Sequence, residues 1–162
     1  MEAFVRSGAK VAFIDIDARA SDALVDRLSP GASTAPLFLK ADLRNQSELS
    51  EAVTAAGEAL GGIRVLINNA AWDDRHDIDT VTSDYWDANQ AVNLKQVFFV
   101  TRAALPYLRT EQGSSIINFS SISYLLNMGD LPAYTAAKAG IIGLTKSLAG
   151  RLGPENIRVN AI

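Results

Sequence analysis

Five short, uniformly apolar runs recur along the chain, and a longer stretch with helical spacing follows each of the first four. The runs are "AKVAFID" (9–15), "APLFLKAD" (35–42), "RVLINNA" (64–70), "SSIINFSS" (114–121) and "IRVNAI" (157–162). The helical stretches lie at "ARASDALVDRL" (18–28), "QSELSEAVTAAGEAL" (46–60), 84–109 and 132–152. Apolar runs that do not alternate with polar residues predict strands buried on both faces. Their alternation with helices predicts an α/β fold, a parallel sheet covered by helices on its faces. The 162 residues are enough for one such domain, 1–162, with a real core. Ligands of parallel sheets sit beyond the carboxyl ends of the strands, so chemistry is expected there.

Composition narrows the function classes. Hydrophobic residues make up 48% and charged residues 20%, as in soluble globular proteins. The net charge of −3, with no basic stripe, argues against nucleic acid and against an anionic membrane as partners. The absence of cysteine excludes disulfides, thiol catalysis and thiolate metal sites, and fits a reducing compartment. The first residues lack the apolar stretch of a signal peptide, and no run reaches the ~18–20 apolar residues of a membrane span. A cytoplasmic protein is the expectation.

Each strand end carries residues with two readings. Asp15 ends the first run; it suits an acceptor for ribose hydroxyls or an ordinary turn-starting Asp. An acid there repels a 2′-phosphate and so selects NAD over NADP. Asp42 suits the adenine amino group, with Leu43 near the ring, or else the start of a helix. In "NNAA" (68–71) the small residues let backbone approach a flat cofactor at Asn69 and Ala70, though Asn pairs also occur in plain turns. Asn93 lies among apolar residues in "AVNLKQVFF" and needs a partner if buried. It is either structural or the anchor of a water near a catalytic lysine. Ser121 ends "NFSS" thirteen residues before Tyr134, and Tyr134 and Lys138 are one helical turn apart in "PAYTAAKAG". A phenol beside an ammonium is a solvated polar pair or an activated proton carrier. A free phenol titrates near pH ~10, and bringing one to ~7 takes about 4 kcal/mol of anion stabilisation.

Taken together, the acid after the first run, "NNAA", Asn93, Ser121, Tyr134 and Lys138 resemble the short-chain dehydrogenase/reductase family in order and spacing, over 1–162. The resemblance implies a Rossmann-type doubly wound parallel sheet, with NAD bound by Asp15, Asp42, Leu43, Asn69, Ala70, Tyr134 and Lys138. It implies catalysis by Asn93, Ser121, Tyr134 and Lys138, with Tyr134 as base, no metal, and a homo-oligomer when full length. The stretches "NNAAWDDRHDIDTVTSDYWDANQAVNLKQVFF" and "SSISYLLNMGDLPAYTAAKAGIIGLTKSLA" are similar to NAD-dependent aldose 1-dehydrogenases, such as galactose, xylose and arabinose dehydrogenases. That likeness implies a small hydroxy substrate, a sugar oxidised at C1 to its aldonolactone; another polyol or hydroxy compound is the alternative. Trp72, Tyr124 and Asn127 suit a sugar site or plain packing. His76, the one histidine, stands beside Asp73, Asp74 and Arg75 after a strand end, which suits a role around the substrate or, the favoured reading, a loop held by local ion pairs.

The opening "MEAFVRSGAKV" resembles the last turns of the family's first helix, with Gly8 at its stop. By the resemblance, the first strand with its glycine-rich turn and the C-terminal segment are lacking. The family sheet order 3-2-1-4-5-6-7 places that strand between those beginning near Lys10 and Arg64. The expectation is that the chain as it stands is inactive. The alternative function is a catalytically silent interaction module that associates with full-length relatives.

Overall fold

A computed structural model describes residues 1–162, which form two compact units, Met1–Gly62 and Ile63–Ile162. The first contains α1 (Glu2–Arg6), β1 (Ala12–Asp15), α2 (Ala18–Leu28), β2 (Leu37–Lys40) and α3 (Gln46–Leu60). Strands β1 and β2 are parallel, with Ala12 opposite Leu37 and Asp15 opposite Lys40. The stops and starts follow from local chemistry. Gly8 takes φ +82° after α1, and Gly61 takes φ +75° at the end of α3, a conformation that costs glycine least. The Asp17 carboxylate accepts from the Ala20 N–H at 3.0 Å and caps α2. Asn45 caps α3 by accepting from the Ser47 and Glu48 N–H groups, and Glu48 accepts from the Asn45 amide at 2.8 Å in return.

The second unit contains β3 (Val65–Asn68), α4 (Ser83–Gln90), a π-helical segment (Ala91–Lys95), α5 (Gln96–Leu108), β4 (Ser115–Asn118), α6 (Pro132–Leu152) and β5 (Arg158–Ala161). Single 3₁₀ turns occupy Ile122–Tyr124 and Gly153–Glu155. The strands run parallel in the order β3-β4-β5. Parallel sheets flanked by helices place the chain in the Rossmann-like α/β class. No helix is long and apolar enough to cross a membrane.

The five strands divide into a two-stranded and a three-stranded sheet, as the strand expected to be lacking between those beginning near Lys10 and Arg64 implies. Two expectations need correction. Two-sided burial holds for β4, where Ile116 is fully buried, but Val65 and Ile67 of β3 are 45% and 37% exposed. The reason is topological: β4 alone has a neighbour on each edge, whereas β3 is paired on one edge only. The helix expected over 84–109 is broken by the π segment, whose wider turn spends an additional residue on the way from α4 to α5.

A buried polar layer ties this sheet to its helices. Asn68 donates to the Asn118 side-chain oxygen at 2.9 Å across the β3–β4 pair, and more weakly to Thr101 Oγ1 of α5 at 3.4 Å. Asn118 in turn donates to Thr145 Oγ1 of α6 at 2.9 Å. All four side chains are buried. Each buried partner stranded by a substitution costs about 1–3 kcal/mol. Asn118→Leu, which strands Asn68 and Thr145 together, is therefore expected to lower the urea midpoint markedly. The double variant Asn68→Leu/Asn118→Leu is expected to recover part of that loss. Unfolding of the single variant at the wild-type midpoint would show that the layer contributes nothing.

Candidate active site

Helix α6 begins with Pro132 at its first position, where the missing N–H costs nothing. Two turns of its exposed-to-buried face then carry Tyr134, which is half-buried, and Lys138, which is 3% exposed. Lys138 Nζ donates to the Phe119 carbonyl at 2.8 Å and lies 5.5 Å from the centroid of the Tyr134 ring. An ammonium has three donors, so two remain for other acceptors. Burial pushes the Lys138 pKa down from 10.5, and the Asp73 carboxylate opposes that shift.

Ser121 stands just past the end of β4 and heads the Ile122–Tyr124 turn, its Oγ accepting from the Ser123 N–H at 3.2 Å. That turn packs against α6, and Ser120 Oγ binds the Lys138 carbonyl at 2.8 Å. The strand end that carries Ser121 is thereby fastened to the helix that carries Tyr134 and Lys138.

Asn93, fully buried in the π segment, faces the loop after β3. Its Oδ1 accepts from the Trp72 N–H at 2.9 Å, and its Nδ2 donates to the Trp72 carbonyl at 2.8 Å and to Asn89 Oδ1 at 2.9 Å. Both amide hydrogens are thus committed within the protein. Gln96 adds a bond to the Ala70 carbonyl at 3.3 Å. Asn69, Ala70 and Ala71 are exposed at the end of β3, and beyond its Cβ an alanine adds nothing to the surface there. Three buried side-chain atoms are without partners: Asn89 Nδ2, Ser123 Oγ and Thr135 Oγ1. Each neighbours a predicted site residue, where buried polar groups unsatisfied by the fold itself are expected.

In the first unit, Asp15 is exposed at the end of β1, with Oδ1 accepting from the Asp17 N–H at 2.9 Å. Asp42 is gripped by Arg44, whose Nη2 lies 2.6 Å from Oδ2, and that hydrogen bond holds its carboxyl below the usual range against the opposing effect of burial. Leu43 is half-buried beside it.

The loop carrying His76 holds one ion pair, and the imidazole itself takes hydrogen bonds. The ion pair of this loop joins Arg75 Nε to Asp130 at 3.0 Å. The imidazole instead accepts the Ala133 N–H at Nε2, 3.0 Å away, and its Nδ1 meets the Asp74 carbonyl at 2.9 Å and the Tyr85 hydroxyl at 2.8 Å. Tyr85 donates to the Asp74 carboxylate at 2.8 Å and stacks 5.0 Å from the half-buried Trp72. Burial first, and the Asp74 carboxylate second, push the Tyr85 phenol above its ordinary pKa, with Asn89 acting against them. Tyr124 and Asn127 are exposed. The sequence reading passed over Asn89, Gln90, Gln96 and Tyr85. The polar stripe Asn89, Asn93, Gln96, spaced four and three residues apart in an apolar helix, was the available signal.

A family sequence profile described as enoyl-(acyl carrier protein) reductase matches residues 1–162. The chain is 54% identical over 162 residues to a probable galactose dehydrogenase of Rhizobium meliloti (strain 1021), covering all of this chain and 63% of that protein. It is 43% identical over 159 residues to a D-xylose 1-dehydrogenase of Caulobacter vibrioides, covering 98% of this chain and 62% of that one. A crystal structure of a dehydrogenase/reductase from Sinorhizobium meliloti 1021 superposes with a TM-score of 0.91 at 30% identity, covering 99% of this chain and 63% of that chain. The chain therefore spans about 63% of the length of these relatives.

The buried lysine carries a pH signature. Because burial lowers its folded pKa, the folded protein releases this proton before the unfolded chain does. Below the folded pKa both states are protonated and the burial penalty is fully present. As the pH rises from there towards 10.5 the unfolded chain binds more protons, and folding gains. Wild type is expected to gain stability relative to Lys138→Met over that interval in urea unfolding at stepped pH. A wild-type-minus-variant difference that stays flat would mean that Lys138 titrates as it does in water.

Proposed function

The chain belongs to the short-chain dehydrogenase/reductase family, and on that footing we propose that it serves an NAD-dependent oxidation of an aldose at C1, with Tyr134 as the base. The observation that carries the reading is the Tyr134–Lys138 pair: a buried ammonium anchored 2.8 Å from the Phe119 carbonyl, beneath the tyrosine ring and with two donors to spare. A nicotinamide dinucleotide fits the residues present, because Ala70 and Ala71 leave the end of β3 flat and Lys138 keeps its two donors for ribose hydroxyls. When bound, that cofactor supplies the hydride acceptor.

The protein's own part is the proton. Tyr134 accepts it from the anomeric hydroxyl as the C1 hydrogen leaves with its electron pair, so the C1–O bond becomes the carbonyl of an aldonolactone. Ser121 Oγ holds the same oxygen and keeps it in line with the phenol. Lys138 favours the phenolate that the base requires, since an ammonium nearby stabilises the anion. Asn93 fixes the loop that follows β3. In the first unit Asp15 retains an oxygen, Oδ2, for a ribose hydroxyl, and its charge disfavours a 2′-phosphate. The likeness to a probable galactose dehydrogenase and a D-xylose 1-dehydrogenase supports a sugar as substrate. Association into a homo-oligomer when full length belongs to the same reading and rests on the family likeness. The retained Asn93, Ser121, Tyr134 and Lys138 favour this reading over a silent interaction module.

The 162 residues alone are expected to neither bind NAD nor oxidise a sugar, so the test uses a version extended to the length of its relatives. There Tyr134→Phe keeps the ring and removes the phenol, and turnover of galactose or xylose is expected to fall ~10²-fold or more. NAD binding, followed by calorimetry, is expected to persist. Asp15→Ala is expected to erode a preference for NAD over NADP in steady-state kinetics. Near-normal turnover by Tyr134→Phe would remove Tyr134 from the mechanism, and equal use of NADP by the unmutated protein would remove Asp15 from cofactor choice.

A further inference from the structure

Residue 133, immediately before Tyr134, is held by side chains on both of its backbone groups. Its N–H donates to His76 Nε2 at 3.0 Å, and its carbonyl accepts from Gln90 Nε2 of α4 at 2.8 Å. The residue is fully buried, so water does not serve either group. The start of α6 has no other side-chain cap: Leu131 at the N-cap position has none to offer, and Pro132 has no N–H. His76 thus does the work of a missing N-cap from 57 positions away in sequence.

An imidazole can accept at Nε2 only when neutral, with its proton on Nδ1. The surroundings impose that form. Nδ1 faces two oxygens, the Asp74 carbonyl and the Tyr85 hydroxyl, and the Tyr85 proton is spent on the Asp74 carboxylate. The loop that presents the ring is fixed on both sides. Asn93 holds it at Trp72, while at the other end the His76 N–H bonds the Asp130 carbonyl at 3.0 Å beside the Arg75–Asp130 ion pair. We propose that His76 is a positioning residue: its neutral imidazole, with Gln90, clamps the backbone ahead of Tyr134 and so sets where the phenol stands. The inference rests on Tyr134 acting as the base. The groups facing the ring are Asp74 of its own loop, Tyr85 of α4, the Arg75–Asp130 pair and the positive end of α6. Filling Nε2 with a proton turns the acceptor into a second donor aimed at the Ala133 N–H, and the clamp opens.

The chain contains one histidine, so imidazole nitrogen NMR reads this ring without ambiguity. The Nδ1–H tautomer is expected, together with an Ala133 amide protected from exchange. That protection is expected to disappear on acidification in step with protonation of the ring. In kinetics of a version extended to the length of its relatives, His76→Phe is expected to lose ~10-fold or more in kcat, the scale of a misplaced catalytic group, with KM for NAD within about twofold. Glutamine places an oxygen near the position of Nε2. His76→Gln is therefore expected to restore most of kcat and to lack the acid limb that, in wild type, follows the ring titration. An Nε2–H tautomer or a freely exchanging Ala133 amide overturns the clamp, whatever the activity. Wild-type turnover by His76→Phe overturns the positioning role. Should that variant fail to fold, the NMR measurement on wild type and the pH profile of His76→Gln still decide. An active Tyr134→Phe enzyme would instead sink the proposed function and leave the clamp standing.

Discussion

The Asn93 carboxamide meets the backbone of Trp72 as another strand would, one donor and one acceptor side by side. Much of the second unit's chemistry hangs from that pair of bonds. It fixes the loop leaving β3, and that loop carries Asp73, whose charge reaches Lys138, as well as His76, whose ring holds the first turn of α6. A buried amide that finds all of its partners is rigid, and one that loses them costs as much as a core cavity. The cost of desolvating Asn93 is therefore offset only while residues 70–77 keep this path.

Rigidity at the strand ends has a second source in the Asn68–Asn118 pair with Thr101 and Thr145. Apolar side chains alone would let parallel strands and their helices slide by small amounts at little cost. Directional bonds in a dry layer do not. The layer lies one residue before the exposed "NAA" that follows β3 and three before Ser121 beyond β4, so the candidate site residues emerge from fixed points.

Much of this was legible in the sequence, and the reasons differ by element. Helices α2, α3 and α6 begin and end where expected because Asp17, Asn45 and Pro132 mark their starts chemically. The strands came out shorter, four residues each, since a ladder ends where its neighbour does and not where apolarity ends. The π segment was hidden because apolar residues continue through it at near-helical spacing. The Tyr134–Lys138 stack was readable because both residues share one helix. The partner of His76 was not, because it is a backbone N–H on a distant helix and no side-chain pattern reports it. Asp42 shows the same limit: Arg44, two residues away, takes up its carboxylate, which an isolated strand-end acid does not disclose.

The widened turn at Ala91–Lys95 separates the packing of one helix from the anchoring of a neighbouring loop. A helix that spends one additional residue on a turn returns to phase afterwards, so Asn89 before it and Val97, Val100 and Ala104 after it all face the interior. Removing one residue there would leave a straight helix with its apolar stripe intact and the core largely undisturbed. What would vanish is the inward bulge that carries Asn93 to the loop. The segment is thus a place where this chain gives up regular helical hydrogen bonding for the two Asn93–Trp72 bonds, so its loss would reach residues 70–77 and the first turn of α6 while sparing the helix's own apolar stripe.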